Sequence, residues 1–247
     1  MAMRDAQARV TRLRDYRAPD FLIDRTELHF DLRPGETLVR ATLALRANPE
    51  HPVRARELRL HGEGLQLREL ALDGRALAPA EYSYTDGELV IPDVPAAFEL
   101  SSTVAIHPEA NTSLEGLYQS RSLYCTQCEA EGFRKITFYL DRPDVLSEFT
   151  TTIEADQGAF PVLLSNGNPV AEGVASDGRH WVTWHDPFQK PAYLFALVAG
   201  DLACMEDSFT TASGRNVALR IHVEPKDLDK LDHAMASLKQ AMAWDER

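Results

Sequence analysis

The 247-residue chain has no long apolar run. Its opening stretch, MAMRDAQARVTRLRDYRAPD, holds arginines but nothing that could serve as the hydrophobic segment of a secretory signal, and no later segment approaches a membrane span. The expected compartment is therefore the cytoplasm. Cysteine is scarce: Cys125, Cys128 and Cys204 are the whole supply, and in that compartment all three are expected as thiols and the sequon Asn111-Thr112-Ser113 as bare. Positive charge is short as well. The 26 Lys and Arg stand against 38 Asp and Glu, a net charge of −12, which argues against nucleic acid or an anionic membrane as partner and suits a cationic ligand.

Catalytic signatures are missing too. There is no G-x-S-x-G, and none of the eight histidines is followed by glutamate, so there is no H-E-x-x-H metal helix. Gly62-Glu63-Gly64 is a turn, not a phosphate cradle, and the acids of DLDKLD (Asp227, Asp229, Asp232) lack the glycine and bidentate glutamate of a calcium loop. These residues are not expected to run a hydrolysis by themselves.

What is present is a strand pattern in a chain that is 44% hydrophobic and 26% charged, enough to bury a core. From about residue 22 to 106, short alternating runs such as TLVRATLAL and GELVIPDV lie between the turn dipeptides Pro34-Gly35, Asp73-Gly74 and Asp86-Gly87, which predicts an antiparallel sheet or sandwich. The pattern resumes after residue 145, with Asn166-Gly167 as a hairpin signal. DPFQKP, residues 186–191, bracketed by prolines, is the expected seam between domains at 1–190 and 191–247. Leu228, Leu231, Met235, Leu238 and Met242 then draw one apolar stripe down a helix, with Asp227 and Asp229 near its start. Little sequence remains to cover that stripe, so it is expected to lack a partner here, as in a fragment cut inside or just after a helix.

The stretch LYCTQCEAEGFRKITFYLDRPDV, residues 123–145, sets Cys125 and Cys128 at C-x-x-C spacing. A structural zinc site needs four ligands and this pair supplies two; Cys204 brings no close companion, and His180 and His185, five apart on an alternating strand, face opposite sides. A redox pair belongs at a helix start, where the dipole lowers a thiol pKa, whereas GFRKITFYL predicts a strand. The cysteines are expected as packing residues. If TQCEAE is extended, Gln127, Glu129 and Glu131 share one face, a row of acceptors matching the three donors and the charge of an ammonium group. On the residues alone, the competing reading is that these acids pair with Arg134 or Lys135 or simply face water.

The blocks NTSLEGLYQS, LYCTQCEAEGFRKITFYLDRPDVLSEFTTTIEAD, LLSNGN and DPFQKPAYLFALVAGDL, with DYRAPD at 15–20 and the terminal AWDE, resemble the N-terminal region of the bacterial aminopeptidase N family of zinc-dependent metalloaminopeptidases. The resemblance covers essentially the whole chain. It implies a mostly β fold: an N-terminal antiparallel β-sandwich or saddle domain, then the opening strands and first helix of a thermolysin-like catalytic domain truncated before its zinc motif. It implies a parent enzyme that removes N-terminal amino acids from peptides, with zinc as cofactor, peptides bearing a free N-terminus as substrates, and the remainder of the catalytic domain as structural partner. Gln127 and Glu129 match the family residues that bind the substrate α-amino group; Glu131 also matches, with no role implied. The family's G-A-M-E-N motif, zinc helix and downstream glutamate ligand have no counterpart here, so this portion is expected to be inert alone and to hold no zinc. A self-sufficient β-sandwich binding module remains the alternative.

Overall fold

The computed structural model describes residues 12–50 and 57–247. Residues 1–11 of the opening stretch, and His51, lie outside the described residues. Among the described residues seventeen strands follow one another, beginning with β1 Phe21–Arg33, β2 Glu36–Ala47, β3 Leu58–His61, β4 Gln66–Leu72, β5 Arg75–Ala76, β6 Ser83–Thr85, β7 Glu88–Ile91, β8 Ala97–Ile106, β9 Gly116–Ser120 and β10 Leu123–Gln127. The second half adds β11 Leu146–Asp156, β12 Val162–Ser165, β13 Asn168–Val174, β14 Arg179–Pro191, β15 Leu197–Gly200, β16 Ala203–Thr210, β17 Asn216–Val223 and a single helix, α1 Leu231–Asp245.

They form an eight-stranded sheet in the order β13-β14-β11-β1-β2-β8-β4-β5, a four-stranded sheet β12-β15-β10-β9, a three-stranded sheet β3-β7-β6 and the ribbon β16-β17. The expected antiparallel, mostly β fold is what the chain adopts, with one exception. β1 and β11 pair in parallel, with Phe30 opposite Ile153, which the long excursion between them permits. Buried residues alternate with outward ones along β2 and β11, the period of a sheet covered on one face. In β1 the alternation changes phase: Phe21 and Ile23 are buried, then Thr26, Leu28, Phe30 and Leu32, because the register slips between Ile23 and Arg25.

The first three sheets share one core. Its centre is an aromatic cluster in which Phe133 meets Tyr139 at 4.8 Å, Phe195 at 5.3 Å and Phe149 at 6.0 Å between ring centroids, while Phe195 stacks on Phe30 at 5.9 Å. Burial of each ring is worth roughly 1.5–3 kcal/mol. The one polar end in the cluster, the Tyr139 hydroxyl, lies 3.2 Å from Thr26 Oγ1, which in turn lies 2.8 Å from Ser147 Oγ. Phe133 and Tyr139 flank the segment that follows the C-x-x-C pair, so the core reaches directly beneath it.

Three stretches that the sequence singled out take a definite place in the structure. Asn166-Gly167 does not make a hairpin: β12 and β13 belong to different sheets, and the dipeptide is the corner between them. Gly167 has φ +86°, and its backbone lies so close to β14 that a Cβ would fall 2.6 Å from Asp186 N. DPFQKP, the expected seam, lies at the end of β14. Pro187, Phe188 and Gln189 bulge outward between the pairs Phe149–Asp186 and Ser147–Lys190, leaving Phe188 exposed, while Lys190 Nζ returns to lie 3.0 Å from Asp186 and 3.9 Å above the Phe149 ring. Strand pairing continues beyond it, since β15 joins β10 and β12.

The third concerns the helix stripe. Leu228 falls in the 3₁₀ turn Pro225–Lys230 ahead of α1, but Leu231 and Met235 are buried, with α1 against β16. Lys239 pairs with Asp207, and Glu246 accepts a hydrogen bond from Ala212 N at 2.9 Å. The β16-β17 ribbon is thus a partner for the helix; Leu238 and Met242 are half-buried, while Leu228, at 39%, and Trp244, at 72%, are exposed.

Candidate functional site

β10 is held on both sides. It pairs with β9 from Leu123 opposite Ser120 to Gln127 opposite Gly116, and with β15 at Tyr124–Ala199 and Cys125–Val198. The strand stops at Gln127, so the expectation that TQCEAE is extended through Glu131 does not hold. Residues 129–132 form a turn closed by Gly132 N–H donating to Cys128 O at 2.8 Å, the Glu129–Ala130 peptide is cis, and a 3₁₀ turn, Phe133–Lys135, follows. GFRKITFYL is likewise no strand; only Tyr139 makes a bridge, to His61. The reason is the tight approach at Gly132, where a Cβ would lie 2.5 Å from Gln127 O and 3.0 Å from Gly116 N. The chain must fold back there to bring Phe133 into the core, and a strand could not do so.

Gln127, Glu129 and Glu131 are all exposed, but they do not form a row on one strand face. Gln127 sits at the strand end, and its Nε2 donates to the Glu129 carbonyl at 3.3 Å, which leaves Oε1 as the acceptor end of the amide. Glu131 Oε2 lies 3.3 Å from Arg134 Nη1, the partner the plain reading of these acids named. Lys135 turns instead to Glu115 and Ser113. Among the described residues no Lys or Arg pairs with the Glu129 carboxylate, which leaves the turn with an uncompensated negative charge beside an amide acceptor.

Behind the turn lies a group that sequence reasoning missed. Asp141, its side chain 2% exposed, accepts from both the main-chain N–H and Nε of Arg134 at 3.1 Å, while Arg134 Nη2 donates to the Asp141 carbonyl at 3.1 Å. The Asp141 N–H donates to His61 Nδ1 at 3.3 Å. Burial pushes the Asp141 carboxyl above the ordinary range, and the bonds from Arg134 oppose that rise. Burial together with the neighbouring guanidinium lowers His61. The only sequence signal for this knot was an aspartate beside the apolar run ITFYL, where a charge needs a partner.

Of the three cysteines, Cys128 packs in the core. Cys128 is 2% exposed and burial pushes its thiol up to about 12, with the Asp141 charge adding to the effect; a redox nucleophile needs the opposite shift. Cys125 is half-buried against Tyr118, and Cys204 is exposed on the ribbon opposite His222. His180 and His185 have separate partners, Phe160 O at 2.7 Å and Thr150 Oγ1 at 3.1 Å. Among the described residues no three His, Cys, Asp or Glu side chains come together to hold a metal ion. No helix among them is long and apolar enough to cross a membrane.

The family model of the Peptidase M1 N-terminal domain matches residues 24–194. The chain belongs to this family. Among curated relatives of this M1 chain, the aminopeptidase N of Caulobacter vibrioides is 51% identical over 244 residues, which span 99% of this chain and 28% of that protein. The aminopeptidase N of Escherichia coli (strain K12) is 52% identical over 233 residues, 94% of this chain and 26% of that protein. The chain therefore spans little more than a quarter of the curated relatives it matches and corresponds to their N-terminal region. Among solved structures, Legionella pneumophila aminopeptidase A in complex with aspartic acid superposes with a TM-score of 0.92 at 36% identity, over 96% of this chain and 28% of that one. A mutant M1 zinc metallopeptidase of Deinococcus radiodurans, bound to a Tyr-Ser-Ala substrate, shares the fold at a TM-score of 0.69 and 17% identity, over 83% of this chain and 48% of that one.

Proposed function

We propose that the chain is the N-terminal part of a zinc aminopeptidase that removes N-terminal residues from peptides, and that Gln127 and Glu129 hold the substrate's α-ammonium. The observation that carries this is the state of Glu129 in a member of this family: an exposed carboxylate that no described cation of the chain pairs with, next to the amide oxygen that the bond from Gln127 Nε2 to the Glu129 carbonyl leaves as acceptor. An ammonium offers three donors and a positive charge, and these two groups accept and neutralise it. Fixing the first residue in this way places its carbonyl at a set distance for cleavage, and an internal peptide bond, which has no such cation, gains nothing from the site.

Zinc, named for the Deinococcus relatives, has no ligand set among the described residues, so the metal and the bond-breaking groups belong to the remainder of the parent, and the isolated chain is inert in this reading. Residues 1–190 then form the domain carrying the anchor and 191–247 open the catalytic domain. β15, at the start of the second part, pairs with β10 and β12 of the first, so the two parts share a sheet. The three free thiols suit a cytoplasmic setting.

In the full-length parent, Glu129→Gln is expected to lower kcat/KM for a free-amine peptide by about ten- to a hundredfold, the worth of a hydrogen bond to a charged group, with Glu129→Ala at least as damaging. Folding should be nearly untouched. A peptide with a blocked amine, already a poor substrate, should lose little more. Steady-state kinetics on the matched pair decides it: wild-type kcat/KM for the free-amine peptide in Glu129→Gln rules out the anchoring role.

A further inference from the structure

We propose that Arg134 and Glu131 are positioning residues for the amine anchor, an inference that rests on the assignment of Gln127 and Glu129 above. An ammonium anchor works only if its carboxylate is held to within about half an ångström of the productive place, and an exposed turn cannot hold it unaided. The main-chain closure from Gly132 to Cys128 fixes the base of the turn but not its tip. Gln127 Nε2 holds the Glu129 carbonyl to the strand end, and the tip is tied to the core through Glu131, whose Oε2 lies 3.3 Å from Arg134 Nη1, the same guanidinium being anchored from behind by Nε and Nη2 on buried Asp141. Glu63 closes the far side, its N–H on the Arg134 carbonyl at 2.9 Å and its Oε1 3.8 Å from Nη1.

Charge leads to the same conclusion. Arg134 is the cation nearest in sequence to the acids of the turn, and it is engaged by Asp141 and Glu131, so its charge is spent there. Glu129, two residues before Glu131, is left free for an incoming ammonium. The Glu131 side chain is 68% exposed, and a pair so open to water adds little stability; its effect is on where the turn sits.

The test is a double-mutant cycle in the full-length parent, read as KM and kcat for a free-amine dipeptide amide. Glu131→Gln keeps the shape and releases the guanidinium, and is expected to raise KM about fivefold with kcat within about twofold. Arg134→Lys keeps the charge but replaces a fork serving Asp141 and Glu131 together with a single point, and is expected to raise KM about tenfold. In a Glu129→Gln background both effects should largely vanish, since a residue acting through Glu129 cannot be additive with its loss. Should Arg134→Lys not fold, Glu131→Gln carries the cycle alone. Full additivity, or an unchanged KM in Glu131→Gln, overturns the positioning role while leaving the anchor intact. A kinetically silent Glu129→Gln overturns the anchor and this inference with it.

Discussion

Replacing Arg134 with methionine is expected to destabilise the chain by about 3 to 5 kcal/mol, the usual cost of breaking a buried ion pair by removing one partner. The reason is Asp141. Its carboxylate is almost fully buried and takes one hydrogen bond from the Arg134 side chain and one from its main chain, so methionine, similar in bulk, leaves a buried charge without its cation. The main-chain N–H of residue 134 survives the substitution and is not enough to hold a full charge. A pH dependence follows. Burial already places the Asp141 carboxyl above its ordinary 3.8, and Arg134 restrains that rise, so the variant's carboxyl climbs further. A carboxyl whose folded pKa lies above its unfolded one binds more protons when folded, so stability is lost as pH rises through the folded value and regained as pH falls toward the unfolded one. Mild acidification should therefore stabilise the variant and so narrow its gap to wild type, whereas an ordinary salt-bridged carboxylate closes such a gap by weakening the wild type. Urea midpoints across pH measure it. A midpoint equal to wild type at neutral pH, or a gap that does not shrink on acidification, would show that Asp141 does not depend on Arg134.

Much of the fold was legible because burial on one face of a sheet writes a period of two into the sequence. Pro34-Gly35, Asp73-Gly74 and Asp86-Gly87 each sit at the expected reversal, joining β1 to β2, β4 to β5 and β6 to β7. What alternation cannot report is a change of phase or partner. The slip between Ile23 and Arg25 keeps its strand while reversing which residues face in, and the bulge at 187–189 interrupts the alternation before it resumes in the same phase. Asn166-Gly167 has the composition of a hairpin, but a left-handed glycine serves a corner between sheets equally well, and only the choice of sheet separates the two. In the candidate site, the residue types were readable and the geometry was not. β-branched and aromatic residues in GFRKITFYL suggest a strand, yet Phe133, Phe138 and Tyr139 are wholly buried around a folded-back segment, so tertiary packing overrode local preference. The helix stripe was underestimated for a related reason: the ribbon that covers Leu231 and Met235 precedes it in sequence, and its apolar face cannot be assigned to a partner from alternation alone.

Gly167→Ala is expected to be the most damaging single-methyl change in the described chain, at about 2 to 5 kcal/mol from left-handed backbone strain and crowding together. The two causes can be separated. Gly35 has nearly the same backbone, φ +81° against +86°, but a Cβ there meets nothing within 4 Å, so Gly35→Ala should cost only the strain, about 1–2 kcal/mol. At Gly167 the added carbon would fall 2.5 Å from the His185 carbonyl carbon and closer still to its oxygen. Both belong to the backbone of β14, hydrogen-bonded into the sheet and unable to rotate away as a side chain would. The corner must therefore move, and its connections carry the motion toward the proposed anchor. Asn166 accepts from Ala196 N at 2.7 Å and donates to Leu194 O at 3.1 Å, and the next residue, Leu197, donates its N–H to Thr126 Oγ1 at 2.9 Å, one position before Gln127. Urea midpoints of the two glycine variants, measured side by side, test the stability claim, and KM for a free-amine peptide in the full-length parent tests its reach. Equal midpoints would mean that β14 yields to the methyl and the corner is not rigid. A lower midpoint for Gly167→Ala with KM unchanged would confine the damage to the corner and cut the link from Asn166 through Leu197 to the end of β10.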